Sequence, residues 1–351
     1  MWKRRGTVKI KCAKIKPDLI IAYLTKEFQN GDIVEKKRIE WLDIAKAISI
    51  ILVVLGHAGH AYLDIYLGWF RMPLFFFLSG ILFKPVLFKN YINWASNKTF
   101  RMMLPYFVYG IAIYIIFNIQ NLSLLPEHLY NLLYGGSGLQ GPYGVFWFIT
   151  VLLITQLLLG IIANFYKWIQ FSIIAVMFIA GHLQVVTEID WPWNINVVMI
   201  AIFYYSLGYY CRNIISKYHD SLSIAFVSAF LAVLAILIDV NGYLDFYLNL
   251  KMSSYNHFIL DIIIPLLFFM PIIYISNLIT RFPIKELLKV IGKFSIVIMY
   301  LHLPVNIFFR TILDYNVTTF EFTILGVIIP VILGYIFSLT KPTRVLFLGI
   351  K

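Results

Sequence analysis

Two ionisable side chains bracket the apolar run Ala47 to Gly56: Lys46 stands at its start and His57 at its end. Eleven positions separate them, which at 100° per residue leaves them about 20° apart around a helix and about 16 Å apart along it. They share a face. Asp43, fourteen positions before His57, falls about 40° to the other side of it. Ionisable groups are costly in lipid and ordinarily face a protein interior or a water-filled cavity. An imidazole that titrates near neutrality is the natural general base for activating a hydroxyl. The chemistry implied is activation of a hydroxyl by His57, with Asp43 and Lys46 on the same helix. Simpler roles also fit: Lys46 as an interfacial anchor, His57 as a cap near the opposite surface, and His60, one turn later, as an interfacial residue.

Arg71 opens the next apolar segment, beside the end of the first. It either orients an anion or an oxygen-rich acceptor, or pairs with Asp64 in the short connection. Lys98 and Arg101 stand where a third segment begins. They meet phosphates, or they are plain cytoplasmic anchors. His302 is a second intramembrane histidine at a depth comparable with His57, and either lines the same cavity or is a hydrogen-bonded structural residue. The sequence contains no G-x-x-x-x-G-K-[ST], H-E-x-x-H or G-x-S-x-G, so ATP-driven pumping, zinc hydrolysis and serine-esterase chemistry lose their usual support.

The elements that must position these residues follow from composition. Of 351 residues, 61% are apolar and 13% charged, against roughly 45–50% and about 25% in soluble domains. A soluble enzyme is excluded. Ten apolar stretches predict an all-α, polytopic membrane protein, with spans near 44–63, 68–88, 101–119, 143–165, 170–187, 193–211, 222–240, 258–280, 288–308 and 321–340. The fifth is the weakest because it carries His182 and ends in Thr187-Glu188. Alternating the connections puts 26 of the 29 Lys/Arg on one side and only Arg71, Lys251 and Arg310 on the other. Both termini are therefore expected to be cytoplasmic.

Residues 1–46 hold 12 Lys/Arg and 6 Asp/Glu, half of the net charge of +12. Directly before a hydrophobic segment, such a cluster reads as a juxtamembrane anchor rather than a nucleic-acid surface. We divide the chain into a basic cytoplasmic extension, 1–39, and a membrane domain, 40–345. No cleavable signal peptide is evident, and the first span is expected to serve as the signal. Cys12 and Cys211 give neither a disulfide framework nor a thiolate metal site.

At Leu42-Asp43-Ile44-Ala45-Lys46, Leu52 to His57 and Arg71-Met72-Pro73 to Ser79-Gly80, the chain resembles the acyltransferase-3 family of membrane O-acyltransferases, and within it the stand-alone sugar O-acetylases. Arg101 to Pro105, Trp147-Phe148 and Ile291-Gly292-Lys293 to His302 follow in the expected order, so the resemblance covers about 40–340. It implies ten spans, an acyl-CoA donor taken from the cytoplasm, acetyl-CoA being the commonest case, and a carbohydrate or cell-envelope acceptor. It also implies a bacterial cytoplasmic membrane and no metal. The family hallmark, a basic residue separated by ten others from an essential histidine, falls on Lys46 and His57. Lysine in place of the usual arginine keeps the charge and loses the bidentate fork. Taken together with the positions above, the candidate residues are His57, Lys46 and Asp43 for catalysis, Arg71, His302 and Ser79 for the acceptor, and Lys98 and Arg101 for acyl-CoA. A rival reading is a transporter or flippase of a lipid-linked sugar, with His57, Arg71 and His302 along its path.

Overall fold

Apolar runs too long for strands, broken by Gly, Pro and charged clusters, become helices throughout the computed structural model, which describes residues 39–189 and 191–350. The basic extension expected over 1–39 lies outside the described residues save for Ile39. In chain order the helices are α1 Glu40–Gly56, α2 Ala61–Gly68, α3 Arg71–Ile81, α4 Phe88–Asn118, α5 Leu125–Tyr134, α6 Trp147–Ile162, α7 Lys167–Gly181, α8 Gln184–Thr187, α9 Ile195–Tyr218 and α10 Leu222–Val240. A two-residue hairpin, β1 Leu248–Asn249 with β2 Ser254–Tyr255, precedes α11 Leu260–Ile279, α12 Lys285–Lys293, α13 Ser295–Thr311, α14 Thr319–Leu339 and α15 Lys341–Leu348.

Among the described residues, five segments are long and apolar enough to cross a membrane: α4, Gly141–Ile162, α10, α11 and α14. The pair α12 and α13, bent by 79° between them, makes a sixth if taken as one span. The remaining expected stretches are helical too. However, α1 has 17 residues, α3 has 11 and α7 has 15, each short of the ~20 that a perpendicular crossing uses.

Three boundaries differ from the sequence reading. The first helix stops at Gly56, with His57 in a non-helical cap (φ −97°, ψ 4°), so 44–63 is two helices around a turn. The second helix is only Arg71–Ile81, and 83–87 runs on without regular structure. The third starts at Phe88, so Lys98 and Arg101 lie inside a 31-residue helix rather than at its entrance. At ~1.5 Å per residue that helix is about 46 Å long, well beyond a hydrocarbon core of about 30 Å. Its polar first turns, with Lys89, Asn90, Asn93 and Asn97, are the part that length leaves over.

Burial separates the centre from the periphery. α10 is apolar yet buries only Ala225 and Ala232, as lipid-facing surface requires. The Gly141–Ile162 segment is mostly buried. α1 is enclosed on nearly all sides and packs against α3, α11, α12, α13 and α14, with Ile44, Ala45, Ala47, Ile50 and Val54 fully covered. Close backbone approach at glycine makes this density attainable. A Cβ on Gly80 would stand 1.9 Å from the carbonyl oxygen of Tyr205 on α9, and one on Gly208 of α9 would stand 2.0 Å from that of Phe77 on α3. Gly292 meets Asp43 of α1 in the same way, at 2.1 Å. At the base of α1, Glu40 accepts from Lys285 (3.4 Å) and Lys289 (3.1 Å) of α12. Helices so interlocked hold α1 and α3 in fixed register, and these two carry most of the candidate site.

Candidate active site

Four helices each contribute to two cavities, one toward either end of the bundle. α1 gives Lys46 to the first and Val53 and His57 to the second. α3 runs the other way and gives Ser79 and Phe75 to the first, Met72 and Arg71 to the second. α6 follows α3, with Gln156 and Leu152 against Phe148 and Trp147. α13 follows α1, with Ser295 and Ile296 against Met299. Two helices up and two down thus place one lysine-lined and one histidine-lined chamber along one axis.

The lysine-lined cavity has a volume of about 310 Å³ and is bordered by Lys46, Lys84 and Lys98, with Ser79, Gln156 and Trp94 among its other walls. Lys46 Nζ lies 3.8 Å from Asp43 Oδ1, one turn away, so the carboxylate steers the ammonium, as their spacing suggests. Gln156 is 7% exposed and its Oε1 is buried without a hydrogen-bond partner. A buried amide oxygen left unpaired costs about 1–3 kcal/mol, which an N–H donor entering the cavity would offset.

The histidine cavity, about 200 Å³, is bordered by His57, Arg71, Asp64, Trp147 and Lys251. Arg71 Nη2 donates to Asp64 Oδ1 at 2.8 Å. Its Nη1 is buried and makes no hydrogen bond. The guanidinium rests on the end of α1 because position 56 is glycine: a Cβ there would stand 1.5 Å from Nη1. Of the two roles weighed for Arg71, the ion pair with Asp64 is present on one nitrogen, and the other nitrogen is an unused donor.

The His57 ring stacks on His302, with centroids 5.4 Å apart and planes 19° from parallel. His302 is fully covered. Its Nδ1 donates to the carbonyl of Ile298 at 2.8 Å, and since a carbonyl only accepts, the neutral ring presents Nε2 as an acceptor. That Nε2 has no partner. Asn306 Nδ2 ties the same turn down by donating to the carbonyls of His302 and Phe322.

The chambers are divided by aromatic packing. Phe75 of the lysine cavity meets Phe148 of the histidine cavity edge to face, centroids 5.1 Å apart, and Phe76 packs on Phe148 at the same distance. Lys46 and His57 therefore border different chambers, with Phe75 packed on Phe148 between them.

Several expected groupings are redrawn. Ser79, expected beside Arg71 and His302, borders the lysine cavity instead, because two turns of α3 separate it from Arg71. His302 borders neither cavity and lies behind His57. Lys98 reaches the lysine cavity while Arg101, three positions on, is exposed and borders neither. His182, read as a mark of a weak span, pairs with the buried Asp261 of α11 at 2.9 Å. Lys84, Gln156 and Lys251 were not singled out from the sequence. Lys251 carried a usable signal, being one of only three cations on the lightly charged side. For Gln156 a polar amide inside the apolar run of 147–162 was the corresponding sign.

The family model described as acyltransferase domain matches residues 39–339. Neither a curated protein nor a solved structure matches the chain. The matched span contains α1 to α14 and every residue of both cavities, and the chain belongs to the acyltransferase-3 family of membrane acyltransferases.

Proposed function

We propose that this membrane acyltransferase moves an acyl group, acetyl in the simplest case, from cytoplasmic acyl-CoA to a hydroxyl of a cell-envelope carbohydrate. The observation that carries the reading is the pair of end-to-end cavities built from the same four helices, one rich in lysine and the other bordered by His57. Acyl-CoA phosphates dock against Lys46, Lys84 and Lys98, with Arg101 at the approach. The pantetheine arm passes between Phe75 and Phe148, and its length covers the ~16 Å that eleven helical residues put between Lys46 and His57. His57 takes the proton of the acceptor hydroxyl as its oxygen forms a bond to the thioester carbon. The carbon–sulfur bond then breaks, and the CoA thiolate leaves and is protonated. His302, stacked on His57, fixes the plane of the base.

In this reading the chain crosses the bilayer ten times, its termini are cytoplasmic and it resides in a bacterial cytoplasmic membrane. The short helices α1, α3 and α7 then cross as tilted or internally buried segments. Support comes from the 26 to 3 division of Lys/Arg and from the enclosure of α1 and α3 inside the bundle.

Two chambers parted by an aromatic pair would also serve a transporter that carries a sugar past Phe75 and Phe148 without chemistry. Membranes containing the protein, incubated with acetyl-CoA labelled in the acetyl group, separate the two. Base-labile label on a glycan supports the enzyme. Movement of a glycan across the membrane with no label on it supports the transporter.

A further inference from the structure

The histidine cavity is not neutral from within. It is bordered by two cations, Arg71 and Lys251, and by one carboxylate, Asp64. Asp64 is 60% exposed at its side chain and engages only Nη2 of Arg71. Nη1 of the same guanidinium, in a residue 9% exposed, is left without an acceptor. Lys251 Nζ makes no hydrogen bond or ion pair among the described residues. A buried guanidinium with an idle donor, beside a half-buried ammonium with no counter-ion, is an arrangement that folding alone disfavours.

The second cation is held there deliberately by the fold. Lys251 follows β1, and its carbonyl accepts from Asn194 Nδ2 at the start of α9, at 3.3 Å. Its Nζ lies over Gly144, where a Cβ would stand 3.4 Å from it. Met252 N donates to Asn249 Oδ1, closing the turn that carries Lys251. Three segments distant in sequence, 64–71, 144–148 and 247–251, thus meet around His57 and set two cations, Arg71 and Lys251, against one carboxylate, Asp64.

A neutral sugar hydroxyl satisfies a donor but leaves that charge unmatched. A carboxylate or phosphate satisfies both, and arginine is the side chain whose planar fork suits either. We infer that the acceptor is an anionic glycan whose carboxylate or phosphate is held between Arg71 Nη1 and Lys251 while a hydroxyl of the same or the adjoining sugar faces His57. This inference rests on the acyltransfer reading above.

The test uses the full chain in native membranes, acetyl-labelled acetyl-CoA, and envelope glycans of the source cells separated by anion exchange into neutral and retained fractions. Label is expected in the retained fraction. Amidation of carboxylates with carbodiimide, or removal of phosphates with aqueous hydrogen fluoride, then lowers acceptance at least tenfold, and whichever treatment does so identifies the anion. Label confined to the neutral fraction, or acceptance that survives both treatments, overturns the anionic acceptor and leaves acyl transfer standing. Absence of label from every fraction removes acyl transfer and this inference together. With the retained fraction as acceptor, Lys251→Gln should raise its KM about tenfold, the usual size of one lost charge-assisted bond. The KM for acetyl-CoA should stay unchanged, and Lys251→Arg should restore acceptor binding. An unchanged acceptor KM in Lys251→Gln overturns the role of this lysine.

Discussion

Replacing Gly56 by alanine probes the outer end of the site without removing a polar group. The added methyl would stand 1.5 Å from Arg71 Nη1 and 2.8 Å from Cζ, so the guanidinium must leave its seat on the end of α1 by well over 1 Å. A misplacement of about 1 Å near reacting groups costs about 100-fold in rate. We expect acyl transfer by Gly56→Ala to fall by about that factor, while insertion and yield remain normal. Helix stability works in the opposite direction, since alanine in place of a helical glycine gains up to about 1 kcal/mol. The decisive comparison is a double-mutant cycle with Arg71→Ala. In that background the methyl has nothing to displace, so Gly56→Ala should add no loss of activity and should leave the unfolding temperature in detergent equal or higher. The assay is label transfer from acetyl-CoA at saturating acceptor, paired with thermal unfolding of the purified protein. Full activity of Gly56→Ala, or an equal fall with and without Arg71, would show that the guanidinium's seat plays no part in turnover.

Other expectations are as direct. Gly80→Ala and Gly208→Ala should each lower the unfolding temperature, because the new Cβ would stand about 2 Å from a backbone carbonyl and overpacking of this kind costs about 1–3 kcal/mol; unchanged melting would mean that α3 and α9 separate freely. Lys46→Ala should raise the KM for acetyl-CoA about tenfold through loss of a charged contact, with Lys46→Arg close to wild type, and an unchanged KM would move the phosphates elsewhere. Phe75→Leu should loosen the partition and increase hydrolysis of acetyl-CoA in the absence of acceptor, read as thiol release; no increase places the barrier at another residue. Burial pulls the Lys251 ammonium below the ordinary lysine range. The group is charged below its pKa, so the KM for an anionic acceptor should stay low at neutral pH and climb as pH rises through that lowered value. Arg71, Asp64, His57 and Tyr247 border the same cavity, and Lys251→Arg should abolish the climb if the lysine is its source.

The helical, membrane-embedded character of the chain and the opposition of Lys46 to His57 were legible from residue type and period alone, because burying charge in lipid is costly enough to make each exception informative. Helix ends were less legible. Nothing local in Gly56-His57-Ala58-Gly59 distinguishes a turn from a glycine-tolerant span, and the turn arises because α2 folds back from α1 and α3 then enters at Arg71. The grouping of Ser79 with Arg71 failed for a related reason: neighbours in a motif eight residues apart lie about 12 Å apart along a helix, far enough to reach different chambers. Lys251 could not be placed from sequence because its approach to His57 depends on the hairpin after α10 closing over the bundle. The partition of Phe75 on Phe148 was equally hidden, since aromatic residues are frequent in every segment and only packing shows which pair stands between two cavities.

Acyl transfer through His57 is tested most directly in sealed membrane vesicles whose cytoplasmic face meets labelled acetyl-CoA, comparing the wild-type chain with His57→Gln at matched, correctly inserted levels. Loss of a general base costs about 100- to 10,000-fold, so the variant should leave the glycan essentially unlabelled while the wild type labels it. Glycan labelling by His57→Gln at the wild-type rate would contradict the assignment of this histidine as the base.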